Sequence, residues 1–346
     1  MTHIQNIITK TSEYLEIPAT VGHEGPFMEY LAKDFRELGL NIYASERHLI
    51  VQGSEGTKSI ITAHIDRHGL IGISPTEFAY AAQYVKEINY GEDNRLAAQE
   101  IINISNRFDG EKVVAYDSET GKIIGHGEID FCERCSAGGD AIFRIKGLGD
   151  VPPNTPIAYA RDGEHIDGHY KGQIDNTLSL GVIYELYKNG YQGTTIFACE
   201  EEIGKSWIHI AQALEDENVE TRNLLVLDSS PFKVDSVPME NGHLILRNRD
   251  MSAEFNPELV SKLKQQCESL GIPYTVKDEY LLAEGKEIHQ IGSTELGRLI
   301  KHTHGKYSGA TIQVPTFMYH TSYETTTEKA IDNYYYFLKH ILIDQA

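Results

Sequence analysis

Cysteine is scarce, four in 346 residues, which is too few for a disulfide framework. Cys132 and Cys135 form a single CxxC, in FCERCSAGG, with no second pair to complete a structural zinc site; a turn carrying two thiols is the preferred reading over a metal or redox role. No apolar run approaches the roughly 20 residues needed to span a bilayer, so no membrane partner is expected. The opening, MTHIQNIITKTSEYLEI, lacks the apolar core and small-residue cleavage site of a signal peptide, and the expected location is the cytoplasm. Positive charge is also in deficit. With 31 basic against 51 acidic residues the formal charge is -20, which disfavours nucleic acid or an anionic membrane as a ligand. There is no low-complexity tract, no internal repeat and no long linker. At 40% hydrophobic and 24% charged residues the composition is that of a folded chain, long enough for two domains.

The order of apolar patterns predicts an α/β architecture with a mostly parallel central sheet flanked by helices, interrupted by a small β-barrel or sandwich. Helices are expected over roughly residues 3–16 and 24–39, where Phe27, Leu31, Phe35 and Leu38 recur at helical spacing. Two short apolar runs follow at 49–53 and 59–65. Runs of this kind between helices suggest strands buried on both faces. From about residue 72 to 163 the pattern changes to short alternating segments (KVVAYD, GKIIGHGEI, AIFRIKG, TPIAYARDG) separated by Gly, Asp and Pro turns, with AAQYVKEI and NRLAAQEIINIS as candidate helices. Residues 72–163 are therefore expected to be an inserted β-rich domain, and 1–71 with 164–346 the catalytic α/β domain. In the second part, helices are expected over NTLSLGVIYELYKNG, after Gly204, over NPELVSKLKQQCESLG, over STELGRLIKHT and over roughly 327–343, with strands at TTIFAC, NLLVLD and TIQVPTFMY.

Five metal-seeking side chains stand at or near the ends of these apolar runs: His64 in TAHIDRHG, Asp175 in GQIDNTLSLG, Glu202 in FACEEEIG, Asp228 in LLVLDSS and His320 in FMYHTSYE. Ligands collect at the carboxyl ends of strands in open α/β sheets because the loops there converge. Two imidazoles and three carboxylates form a mixed N/O set that suits a pair of divalent ions, and Glu201 adjoins Glu202 as a candidate proton shuttle. Taken singly none is specific: an Asp before a helix is usually an N-cap, and a His after a strand is usually a hydrogen-bonded structural residue. Their joint order and placement point to metal-assisted hydrolysis.

With these motifs, the sequence resembles the dinuclear-metal aminopeptidases of the glutamyl-aminopeptidase and tetrahedral-aminopeptidase type, relatives of the co-catalytic zinc exopeptidases. The resemblance runs from PATVGHEGP, similar to the family's Pro-Ser-Gly-x-Glu opening, through AHIDRHG, IDN and EEIG to YHTSYE, similar to its Tyr-x-His-Ser-x-x-Glu ending. It implies that Asp175 bridges two metal ions per subunit, zinc or alternatively cobalt, with His64 and Asp228 completing one and Glu202 and His320 the other. It also implies that Glu201 is the general base for a two-metal-activated water and that Asp66 orients the His64 imidazole. Adjacent glutamates can divide this work only if strand alternation is lost at EEIG, so a local turn is expected there. The implied activity is removal of N-terminal residues from short peptides. The implied assembly is a homo-oligomer built from dimers through the inserted domain, up to a twelve-subunit tetrahedron.

The chain departs from the family pattern at Arg67 and His68, where an acidic residue usually follows His-x-Asp, at Asp-Asn-Thr in place of Asp-Asp-Arg, and at Glu295 in place of an aspartate. Alternative readings are a related co-catalytic zinc deacylase or carboxypeptidase, and a non-catalytic assembly protein that keeps the fold. Glycoside hydrolysis fits poorly, because five ligands for two metals are not a carboxylate pair. Bland readings are preferred for Trp207 (packing beside the site), for Tyr334, Tyr335 and Tyr336 (core and boundary of the last helix), for His165 and His169, and for the acidic run at 215–217. An acidic substrate side chain would need Arg or Lys in its pocket and a hydrophobic one an apolar wall; sequence gives no position for the candidates Arg67, Lys205 and Lys306.

Overall fold

The computed structural model describes residues 2–92, 95–130, 139–160 and 162–345; Cys132 and Cys135 lie outside them. The central sheet has eight strands, in spatial order Asn41–Ala44, His48–Gln52, Thr194–Ala198, Ile60–His64, Leu224–Pro231, Gly309–Thr316, Leu244–Leu246 and Tyr274–Val276. The four middle strands are parallel, and antiparallel pairings lie outside them. Ile60–His64 is buried along its whole length. Its alternate residues face two different cores: Ile61 and Ala63 meet Phe35, Leu178, Val182 and Phe197 on one side, and Ile60 joins Ile196, Ile210, Leu214 and Leu299 on the other. A strand covered on both faces has no need of polar alternation, which is why the sequence there is a continuous apolar run. Each such Ile or Leu contributes about 1.5–3 kcal/mol of burial.

The helices expected from the sequence are present as His3–Leu15, Gly25–Glu37, Thr177–Lys188, Ser206–Asp216, Pro257–Leu270, Glu295–His302 and Glu328–Lys339. The last continues to Asp344 as a π-helical turn. Asn256 caps the Pro257–Leu270 helix by accepting from the Glu258 and Leu259 amides at 3.1 and 3.3 Å.

A closed barrel of six antiparallel strands is built from Leu70–Gly72, Phe78–Tyr80, Ile142–Lys146, Ile123–Asp130, Lys112–Tyr116 and Pro156–Tyr159. Its first strand starts at Leu70, two residues ahead of the boundary expected at 72. Two helices, Ala81–Tyr90 and Ala98–Phe108, accompany it, and Phe108 stacks on Tyr159 at 5.0 Å in its core. The barrel chain leaves the main sheet only six residues after His64. A third sheet, of Glu164–Ile166, His169–Gly172 and Glu324–Thr327, joins the segment before Asp175 to the segment after His320.

Candidate metal centre

Strand register brings most of the site together. Ala198 pairs with His64, so the turn after Ala198 delivers Glu201 and Glu202 beside the imidazole. Val226 pairs with Thr62 on the other side, which places Asp228 two residues on, level with His64. Here the structure corrects an expectation: Asp228 is not at a strand end, since its strand runs on to Pro231. The strand before His320 also stops earlier than expected, at Thr316, leaving a loop in which His320 has a left-handed backbone, φ 61°. Asp175 arrives from the third sheet, just ahead of the Thr177–Lys188 helix.

The five predicted donors converge. Asp175 Oδ1 is 3.2 Å from His64 Nε2 and Asp175 Oδ2 is 3.5 Å from His320 Nε2, so the two carboxylate oxygens face two different imidazoles. Asp228 Oδ1 is 3.6 Å from His64 Nε2, and Glu202 Oε2 is 3.5 Å from His320 Nε2. Among the described residues two groups have metal-donor atoms within 4.8 Å of one another: His64, Asp175 and Asp228, and His68, Glu202 and His320. The first consists of three of the donors expected from the sequence. The second adds His68, whose Nε2 is 2.8 Å from Glu202 Oε2.

The expected turn at EEIG is present, and Glu200 before it has φ 67°. The turn is held by Asp66, whose two carboxylate oxygens accept from the Glu201 and Glu202 amides, both at 2.9 Å. Its link to His64 is by two routes: the backbone carbonyl of Asp66 is 3.2 Å from Nδ1, and the carboxylate is 3.6 Å away. Sequence reasoning had assigned Asp66 to the imidazole alone.

Two positioning residues were missed altogether. The Glu324 carboxylate is buried and accepts from the Asp175 amide at 2.7 Å and from the His320 amide at 2.6 Å, orienting one donor from each side of the site. It lay within the YHTSYE motif, where its reach to Asp175 was the part spacing could not reveal. Arg298, from the helix Glu295–His302, donates to Glu201 at 3.1 Å and had no sequence signal.

The electrostatics are those of a site crowded with carboxylates. Burial raises Glu202, and Asp175 adds to the effect; burial pushes Glu201 up to about 8 against the lowering by Arg298 and His64. Burial also raises Asp228. Burial opposes ionisation of Asp175 too, yet hydrogen bonds from His320 and His64 hold its carboxyl well below the usual range. Burial lowers His320, and lowers His68 well below its ordinary value; burial opposes the charged form of His64 as well, but hydrogen bonds with Asp175, Asp228 and Asp66 hold it well above its ordinary value. Buried carboxylates that outnumber the charge on the imidazoles beside them are costly unless cations join them. The donor set therefore fits a pair of divalent ions.

The remaining singled-out residues keep bland positions. Trp207 stacks on His302 at 4.3 Å, Tyr334 and Tyr335 are buried while Tyr336 is exposed, and His165 pairs with Glu328. Asn176 donates to the Leu227 carbonyl at 2.7 Å, and Glu295 is buried and accepts from Thr62 at 3.0 Å. Arg67 donates to the carbonyls of Leu15 and Ile17, Lys205 pairs with Glu92 and Lys306 with Glu215. The cations that do line the site's cavity, of about 560 Å³, are others, Arg247, Lys277 and Arg298 among them.

No family model matches the chain, and no curated protein matches its sequence. Solved structures do. An aminopeptidase from the archaeon Desulfurococcus kamchatkensis is similar with a TM-score of 0.73 at 14% identity, over 98% of this chain and 95% of that one. The Pyrococcus horikoshii TET1 peptidase, described as assembling into a tetrahedron or a large octahedral shell, gives 0.68 at 17% identity over 97% and 99%. A Thermotoga maritima protein described as an endoglucanase gives 0.66 at 13% identity over 97% of each chain. Over nearly its whole length, the chain has the fold of the TET aminopeptidases.

Proposed function

We propose that this protein is a metal-dependent aminopeptidase that removes N-terminal residues from short peptides. The observation that carries the reading is Asp175, whose two oxygens face His64 and His320 from one carboxylate, as a bridge between two cations requires. His64 and Asp228 would hold one ion and Glu202 and His320 the other, with zinc or cobalt suited to the mixed donors. When bound, the metals supply Lewis acidity that activates water and polarises the scissile carbonyl. Glu201, at the edge of the same cavity, takes the proton from water and returns it to the leaving amine. Asp66 fixes the peptide planes that carry Glu201 and Glu202, and Glu324 fixes those of Asp175 and His320. Arg298 holds the Glu201 carboxylate.

The cavity walls suggest which peptides. Lys277 and Arg247 are buried at the cavity, 3% and 6% exposed, and among the described residues neither forms an ion pair. Arg247 is held by Gln313 and the Ile291 carbonyl at 3.1 and 3.2 Å; Lys277 donates to the Pro231 carbonyl and sits 3.4 Å over the Phe232 ring. A buried guanidinium and a buried amine without carboxylate partners suit an acidic side chain at the substrate N-terminus, whose charge would favour the protonated amine.

Among the described residues no helix is long and apolar enough to cross a membrane, and we place the enzyme in the cytoplasm. We read 72–163 as an insertion that builds a homo-oligomer and restricts access; the Pyrococcus horikoshii TET1 peptidase is itself described as assembling into a tetrahedron or a large octahedral shell.

The test is hydrolysis of a panel of aminoacyl-anilides and their N-blocked counterparts by metal-free protein reloaded with zinc or cobalt. Metal-dependent cleavage of the free-amine substrates alone is expected. Cleavage of blocked substrates would move the reading to a deacylase, and no cleavage by metal-loaded protein would favour an assembly protein.

A further inference from the structure

We propose that His68 is a sixth metal-ligating side chain, acting through Nε2 on the ion held by Glu202 and His320. This rests on the two-metal reading above and adds a donor that the predicted set lacks.

Three observations carry it. First, His68 is 5% exposed and its ring meets the His320 ring at 4.1 Å, tilted by 65°, so two imidazoles converge on one carboxylate. Second, its Nδ1 is already engaged, 2.7 Å from the Tyr80 hydroxyl, with the two rings stacked at 5.6 Å. A ligating imidazole characteristically gives its other nitrogen to an oxygen partner, which fixes ring orientation and tautomer. In the tautomer that donates from Nδ1 to Tyr80, Nε2 presents a lone pair. Third, Nε2 is buried and forms no hydrogen bond, although Glu202 Oε2 is only 2.8 Å away. The contact has the distance of a hydrogen bond but not its direction, as expected where a nitrogen and an oxygen are arranged to share a third atom. A buried nitrogen left unpaired is costly, and a cation removes the cost.

The added ligand makes the two positions unequal. Glu202, His320, His68 and the Oδ2 side of Asp175 give four protein donors to one ion, enough to fill a tetrahedral zinc shell. His64, Asp228 and the Oδ1 side of Asp175 give three to the other. The position with room for a water or substrate atom is then the one beside His64 and Asp228. Tyr80, the last residue of a barrel strand, ties this ligand to the barrel.

The test uses the full chain stripped of metal and titrated with zinc against a chromophoric chelator, with X-ray absorption on the loaded protein, for wild type and His68→Gln. Glutamine keeps a donor for Glu202, so it preserves a merely positioning role and abolishes ligation by nitrogen. The expected result is two zinc ions per wild-type chain sharing three imidazoles. In His68→Gln two imidazoles remain, one site is weakened at least roughly tenfold and the other is unchanged. Two imidazoles in wild type, with equal affinities in the variant, would overturn the assignment of His68 while leaving the two-metal reading intact. Wild type that binds no zinc would overturn both. The wild-type imidazole count stands by itself should the variant fail to fold.

Discussion

Arg298 Nη1 lies 3.1 Å from Glu201 Oε1, joining the helix Glu295–His302 to the proposed base. The guanidinium favours the ionised carboxylate and works against the burial that raises it. Replacing Arg298 with Gln removes that help, so Glu201 stays protonated to higher pH. The acid limb of the kcat/KM profile is expected to move to higher pH, and an unmoved limb would deny the coupling.

Glu201→Gln keeps the shape and removes the proton acceptor. A fall in kcat of about 10²–10⁴-fold is expected, with zinc content unchanged when measured by emission spectroscopy. Full peptide hydrolysis by this variant would show the base to be another group.

Glu324 touches no proposed metal position, yet its carboxylate holds the amides of both Asp175 and His320. Glu324→Ala orphans two amide donors, at roughly 1–3 kcal/mol each if they stay buried. Zinc affinity is expected to fall about 10–100-fold, with Glu324→Gln, which keeps an acceptor, falling less. Retention of zinc during dialysis against a chelator measures it.

Lys277 offers a charge contrast. If it receives an acidic substrate side chain, Lys277→Met should lower kcat/KM for glutamyl-anilide by roughly 10–100-fold, the range of a hydrogen bond to a charged group. Cleavage of leucyl-anilide should hold or improve. Equal losses on both substrates would remove Lys277 from side-chain recognition.

The same lysine carries a pH signature. Burial and then Arg247 push its amine down to about 7 from its ordinary value of 10.5. Between those values the unfolded chain holds a proton that the folded chain does not, so stability rises with pH across that window and is lost as pH falls from about 10.5 to about 7. Against Lys277→Met, wild type should lose ground in urea midpoint as pH drops from about 9.5 to about 7. A constant gap would mean that the amine titrates normally.

Much of the site was legible because its donors sit in local motifs. His64 ends a buried strand, Glu202 follows one, and Asp175 precedes a helix, so pattern and neighbours together marked them. What escaped was set by tertiary approach. His68 is four residues from His64, but its partner Tyr80 comes from the barrel; Arg298 reaches Glu201 from a helix 97 residues further on, and Glu324 reaches Asp175 across 149. The fold shows the same division. The long buried runs gave their strands, whereas Leu244–Leu246, three residues long, is a strand through its pairing with Tyr274–Val276 and Gly309–Thr316, far along the chain. Asp228 was expected at a strand end because the apolar run stops there; the hydrogen-bonded ladder with Gly309–Thr316 runs on through Ser229, Ser230 and Pro231.

Asp66 binds two successive peptide amides with one carboxylate, one oxygen for each. The proton transfer proposed for Glu201 and the cation holding proposed for Glu202 are therefore mounted on a common hinge pin. Neither can be retuned by moving that turn without disturbing the other, so adaptation to a new substrate falls to cavity residues on other elements, such as Lys277 and Arg247.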